Sequence, residues 1–88
     1  MNVEFRKSFE KDLGNIRDEA LLERIKAVIE EVEIAETLGD VSNLKKLKTD
    51  GDYYRIRVGD YRIGIAVYEE AIIFVRVLHR KDVYRYFP

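Results

Sequence analysis

Two alternating runs around a two-residue turn, Tyr53–Val58 and Tyr61–Tyr68 flanking Gly59-Asp60, constrain this chain more than any other feature of it. Each run alternates with the period of two that a strand requires. Glycine at the first turn position accommodates positive φ, which predicts a type II′ hairpin. The turn sets the register: Val58 opposite Tyr61, Arg57 opposite Arg62, Ile56 opposite Ile63 and Arg55 opposite Gly64. The register in turn sorts the faces, because a one-residue slip would exchange them. Tyr54, Ile56, Val58, Tyr61, Ile63 and Ile65 form the apolar face. Arg55, Arg57, Arg62, Gly64 and Ala66 form the other. Arg57 directly opposite Arg62 is an unfavourable like-charge pair. Unless Asp52, Asp60 or more distant carboxylates neutralise it, such a pair points to an anionic ligand. Planar guanidinium groups above the shallow floor of Gly64 and Ala66 suit a phosphate backbone.

The remaining patterns supply the partners for that hairpin. Val3–Phe5 reads as a short edge strand. Phe5, Phe9 and Leu13 recur at helical spacing, and Gly14 ends that helix. Leu21, Leu22, Ile25, Val28, Ile29, Val32 and Ala35 make the apolar stripe of a second helix. Asp18 and Glu19 lie at its start, where the dipole favours anions, and Gly39 is expected to close it. Residues 39–52 read as a loop carrying Leu44-Lys45-Lys46-Leu47-Lys48. Glu69-Glu70 marks a second turn, and Ala71–Leu78 a further β run. The expected architecture is one α+β domain over residues 1–88, with two N-terminal helices on one face of a mainly antiparallel, about four-stranded sheet. Ile25, Val28, Ile29, Ile56, Ile63 and Ile65 are its expected core.

Composition narrows the chemistry. The 88 residues contain no cysteine and one histidine, which excludes a disulfide framework and thiolate metal sites and predicts no metal and no cofactor. The start, Met1-Asn2-Val3-Glu4-Phe5-Arg6, lacks the apolar run of a signal peptide. No stretch approaches the roughly 18 apolar residues of a membrane span. A cytoplasmic protein with no membrane partner is expected. The net charge of −1 conceals an asymmetry: residues 1–44 carry 6 basic and 11 acidic side chains, residues 45–88 carry 10 and 6. A basic half carrying the arginine face fits a polyanionic partner.

Tyr53-Tyr54-Arg55-Ile56-Arg57-Val58-Gly59-Asp60-Tyr61-Arg62-Ile63-Gly64, followed by Val77-Leu78-His79-Arg80-Lys81-Asp82-Val83-Tyr84, resembles the RelE/ParE superfamily of type II toxins, and RelE-type members more than ParE-type ones. The likeness spans nearly the whole chain. It implies a ribosome-dependent, metal-independent mRNA endoribonuclease that inhibits translation and is restrained by a cognate antitoxin, with operator DNA bound only through the antitoxin complex. Arg55 and Arg57 stand where the family often has lysines. Arg62, Arg80 and Tyr84 stand at positions that serve cleavage, with Tyr86 as a second candidate for the tyrosine. Arginine stays charged at any accessible pH and is a poor general base. Histidine is the side chain whose ordinary pKa lies nearest neutrality, which makes His79 the expected proton-transfer group. The expected catalytic set is Arg62, Arg80, His79 and Tyr84. Arg55, Arg57, Lys45, Lys46, Lys48 and Tyr86 are expected to bind RNA.

Two other functions fit the same residues. A ParE-like protein would dock on DNA gyrase through its arginines and cleave nothing. A catalytically inactive corepressor would act only beside its antitoxin.

Overall fold

A computed structural model describes all 88 residues, Met1–Pro88. The elements run β1 (Asn2–Phe5), α1 (Lys7–Gly14), α2 (Glu19–Ile34), a 3-10 turn (Leu38–Asp40), β2 (Leu44–Lys46), β3 (Tyr53–Val58), β4 (Tyr61–Tyr68), β5 (Ala71–His79) and α3 (Val83–Tyr86). The strands form one sheet in the order β1-β5-β4-β3-β2. β1 lies parallel to β5 at one edge, and every other pairing is antiparallel.

The α+β expectation therefore stands, with a fifth strand and a third helix added. Both additions are too short to show a period. β2 lies within the segment read as a loop; Leu44 faces Ile56 and reaches the core through that pairing. α3 is a single turn, held by the buried side chains of Val83 and, just beyond it, Phe87.

The β3–β4 register is the one the turn dictates, from Val58↔Tyr61 through Arg55↔Gly64. Gly59 has φ +58° and Asp60 is not in the positive region, as type II′ demands and type I′ forbids. α1 and α2 cover the apolar face. Phe9, Leu21, Ile25 and Val32 pack there with Ile56, Val58, Ile63, Ile65, Ile72, Phe74 and Val77. Val28 and Ile29 border this core, partly buried. Phe9 meets Phe74 edge-on at 5.4 Å, and Phe5 stacks on Phe74 at 5.3 Å.

Asp18 caps α2 by accepting from the Leu21 N–H at 3.1 Å. The other end departs from expectation. α2 stops at Ile34 because Ala35 turns extended (φ −59°, ψ 140°), and Gly39 lies in the following 3-10 turn. The Met1 ammonium donates to the carbonyls of Val32, Glu33 and Ala35 at 3.4, 2.7 and 2.9 Å. It thereby supplies the donors a glycine cap would otherwise have supplied.

The β4–β5 pairing shifts between Gly64 and Ile65: Gly64 faces Arg76, whereas Ile65 faces Phe74. Val75 is the extra residue of this bulge. It reverses the alternation, so Phe74 and Val77, three apart, both reach the core. Past Phe74, β1 no longer covers β5, and α1 takes its place. The Asp12 carboxylate accepts from the Val77 N–H at 3.1 Å and pairs with both Nε and an Nη of Arg76 at 2.7 and 3.1 Å.

Candidate nucleic-acid interface

The face opposite α1 and α2 is organised in rows across the strands. One row holds Arg57, Arg62 and Leu78; the next holds Lys45, Arg55, Gly64 and Arg76. Both rows are cationic, and no carboxylate lies within them. Arg62 is half-buried; one of its guanidinium nitrogens donates to the carbonyls of Gly59 and Tyr61 at 2.8 and 2.9 Å, which curls the side chain over the hairpin turn. Arg55 donates to the Asn43 carbonyl at 3.3 Å, while its Nε is buried without a partner. Arg57 is exposed.

Burial, and then the charges of Arg55 and Arg57, depress the pKa of Arg62; Arg80 adds to this and Tyr84 opposes it. These five side chains thus share one electrostatic environment at the turn end of the face. Arg80 reaches it because its N–H donates to the Asp60 carbonyl at 2.8 Å, which ties the end of β5 to the hairpin turn. Its guanidinium stands 4.0 Å from the exposed Asp60 carboxylate, a loose pair that leaves its charge available. Tyr84 projects from α3 with 64% of its surface exposed.

Of the residues singled out from the sequence, the structure gathers Arg55, Arg57, Arg62, Arg80 and Tyr84. Lys45 joins them as the cross-strand neighbour of Arg55. The other four stand outside this group. His79 faces Tyr61, so it lies on the helix-covered side of the sheet, its ring edge-on to Tyr61 at 5.5 Å. Its Nδ1 accepts the Lys81 N–H at 3.1 Å. The bulge at Val75 causes this placement, since counting by twos from Phe74 would have put His79 beside the arginines. Lys46 faces Tyr54, again on the helix side, with Nζ 3.4 Å from Asp52 and 5.9 Å from the Tyr54 ring. Tyr86 is occupied by Arg76 and Arg85, whose guanidinium carbons lie 5.9 and 5.4 Å from its ring centre. Lys48 lies beyond β2, exposed.

The expected floor also differs. Gly64 is buried because the ring of Phe87, itself 2% exposed, rests on it. Arg76 and Asp12 went unnoticed in the sequence. Their one signal was Asp12 itself, a carboxylate between Phe9 and Leu13 on the apolar stripe of α1, where a charge requires a partner. His, Asp and Glu form no cluster suited to a metal ion. No helix is long and apolar enough to cross a membrane.

Residues 3–84 match the family described as ParE toxin of type II toxin-antitoxin system, parDE. Toxin RelE3 of Methanocaldococcus jannaschii is 51% identical over the full length of both chains. The RelB-RelE antitoxin-toxin complex from Methanococcus jannaschii contains a chain of the same fold, with TM-score 0.80 and 49% identity over 97% of this chain and 99% of that one. The archaeal RelE-RelB complex from Pyrococcus horikoshii OT3 matches in fold at TM-score 0.73 and 24% identity, over 93% of this chain and 97% of that one.

Proposed function

Since this chain belongs to the RelE/ParE superfamily of type II toxins, we propose that it is the toxin of a toxin–antitoxin pair and cleaves mRNA on the ribosome. The observation that carries the proposal is the convergence of Arg55, Arg57, Arg62 and Arg80 with Tyr84 at one end of a sheet face. In the proposed reaction the ribose 2′-oxygen forms a bond to the adjacent phosphorus and the P–O5′ bond breaks. The 2′-hydroxyl loses a proton and O5′ gains one. Negative charge builds on the phosphate oxygens. Guanidinium groups already fixed around that position stabilise it without reorganising. Arg62 and Arg80 take this role. Arg55, Arg57 and Lys45 hold the flanking backbone, and Tyr84 stacks on a base or offers its hydroxyl to the developing charge.

The 49%-identical chain was solved in complex with an antitoxin, RelB. A cognate antitoxin that covers this basic face, or displaces α3 from it, accounts for restraint of the toxin, and operator DNA enters only through that complex. The ParE description of the family match favours a second reading, in which the same arginines dock on DNA gyrase. Incubating the purified protein with mRNA-loaded ribosomes, and separately with gyrase, decides between them. Cleavage within ribosome-bound mRNA is expected. Intact mRNA with inhibited gyrase supports the ParE-like reading, and neither effect supports the corepressor.

A further inference from the structure

We infer that the contact between Phe87 and Gly64 is a latch that sets Tyr84 against Arg62, which makes Phe87 a positioning residue for the cleavage proposed above, on which this inference rests. Glycine weakens the middle of a strand and commonly marks a close approach. Gly64 is such a place: a Cβ built there would lie 2.7, 2.7 and 2.8 Å from three atoms of the Phe87 ring. The ring has little room to yield, because Tyr53 meets it edge-on at 5.7 Å and it is almost fully buried. This packing is separate from the main core. Val83, Phe87 and Ile73 are buried on the sheet face away from α1 and α2.

The chain path explains why the latch matters for Tyr84. The end of β5 is anchored where His79 faces Tyr61, and Phe87 comes down where Gly64 faces Arg76. Between these points α3 passes the row that contains Arg62. Val83 points inward at 0% exposure and Tyr84 outward. Only two backbone bonds to Asp82 and one to Val83 hold the turn together, far too few to fix a single helical turn without its buried side chains. Releasing Phe87 thus frees Tyr84 while leaving Arg55, Arg57 and Arg62 on the intact sheet.

The test compares wild type with Gly64→Ala, Phe87→Ala and the double variant Gly64→Ala/Phe87→Leu, in which the smaller side chain makes room for the added methyl. Hydrogen exchange reports on α3 through the amides of Arg85, Tyr86 and Phe87, which bond to Asp82 and Val83. Single-turnover cleavage on ribosomes reports on the chemistry. In both single variants the α3 amides should lose protection while the β3–β4 ladder keeps its own. Cleavage should fall about 100-fold, as misplacement of a reacting group by an ångström does, with ribosome binding unchanged. The double variant should regain most of both. Single variants with protected α3 amides, or with exposed ones and an unchanged rate, overturn the latch. A wild type that cleaves nothing overturns the nuclease reading instead, and the role in cleavage falls with it.

Discussion

Arg57 and Arg62 are direct cross-strand partners beside the β3–β4 turn, a like-charge pair across the ladder. Burial, Arg55, Arg57 and Arg80 all disfavour the charged form of Arg62. A base whose pKa is depressed by folding is destabilising while protonated, and an arginine remains protonated at every accessible pH. No pH change relieves the strain, but a neutral side chain does. Arg62→Gln removes that repulsion, ~0.2–1 kcal/mol on the scale of a like-charge cross-strand pair, and its amide keeps a donor for the Gly59 and Tyr61 carbonyls, so a net gain within that range is expected. For a domain of this size that is a rise in Tm of about 1–8 °C. The same variant should lose ~100- to 1000-fold in single-turnover cleavage. Calorimetry that shows a fall in Tm would refute the account of Arg62 as a group held for function against stability.

Arg57 lies opposite Arg62 and Arg55 one row farther from the turn, and both are assigned to backbone binding. Replacing both by Gln should weaken ribosome and RNA affinity more than it slows the bound reaction. The dependence of log K on log salt should flatten by about 0.7 per lost contact, the single-strand value. A filter-binding series across salt concentrations checks this. Parallel lines for wild type and variant would remove these two residues from the phosphate contacts.

His79 and Tyr84 make opposite predictions. His79 lies on the Tyr61 side of the sheet with Nδ1 engaged by Lys81, so His79→Ala should leave the rate and its pH profile close to wild type. Tyr84→Phe, on the arginine side, should slow cleavage by about 100-fold or more, the range of a positioned acid–base or oxyanion contact. The pH–rate profiles of the two variants separate them. A profile altered only in His79→Ala would reinstate the histidine as the proton-transfer group.

Asp12 tests what holds α1 to the bare end of β5. Its carboxylate serves the Val77 N–H and two nitrogens of Arg76, with only 11% of the side chain exposed. Its hydrogen bond and ion pair with Arg76 raise the pKa of that arginine, against the opposing effect of burial. Asp12→Ala leaves a part-buried guanidinium and a backbone donor without their acceptor. The expected cost is roughly 2–3 kcal/mol, a fall in Tm on the order of 10 °C. Urea denaturation measures it, and a loss indistinguishable from zero would mean that solvent satisfies both donors.

The hairpin was legible in the chain alone, because it depends on a local period and a turn. Gly59 set the hairpin register, and the register set the faces, so the turn alone assigns Arg55, Arg57 and Arg62 to one side. The spacing of Phe9 and Leu13 marked the short α1, with Phe5 of that series lying in β1 instead, and the wide stripe from Leu21 to Ala35 marked α2. Tertiary structure decided what has no local period. A three-residue strand and a one-turn helix are stabilised by partners distant in the chain: Leu44 by the core beside Ile56, and Phe87 by Gly64. The bulge at Val75 is the clearest case. It satisfies the packing of Phe74 and Val77 together, and in doing so reverses every residue after it. Arg76 and Leu78 go to the arginine face and His79 to the other. Alternation carries no record of such a reversal, because one inserted residue costs little locally and is selected only by the core on which the strand must close.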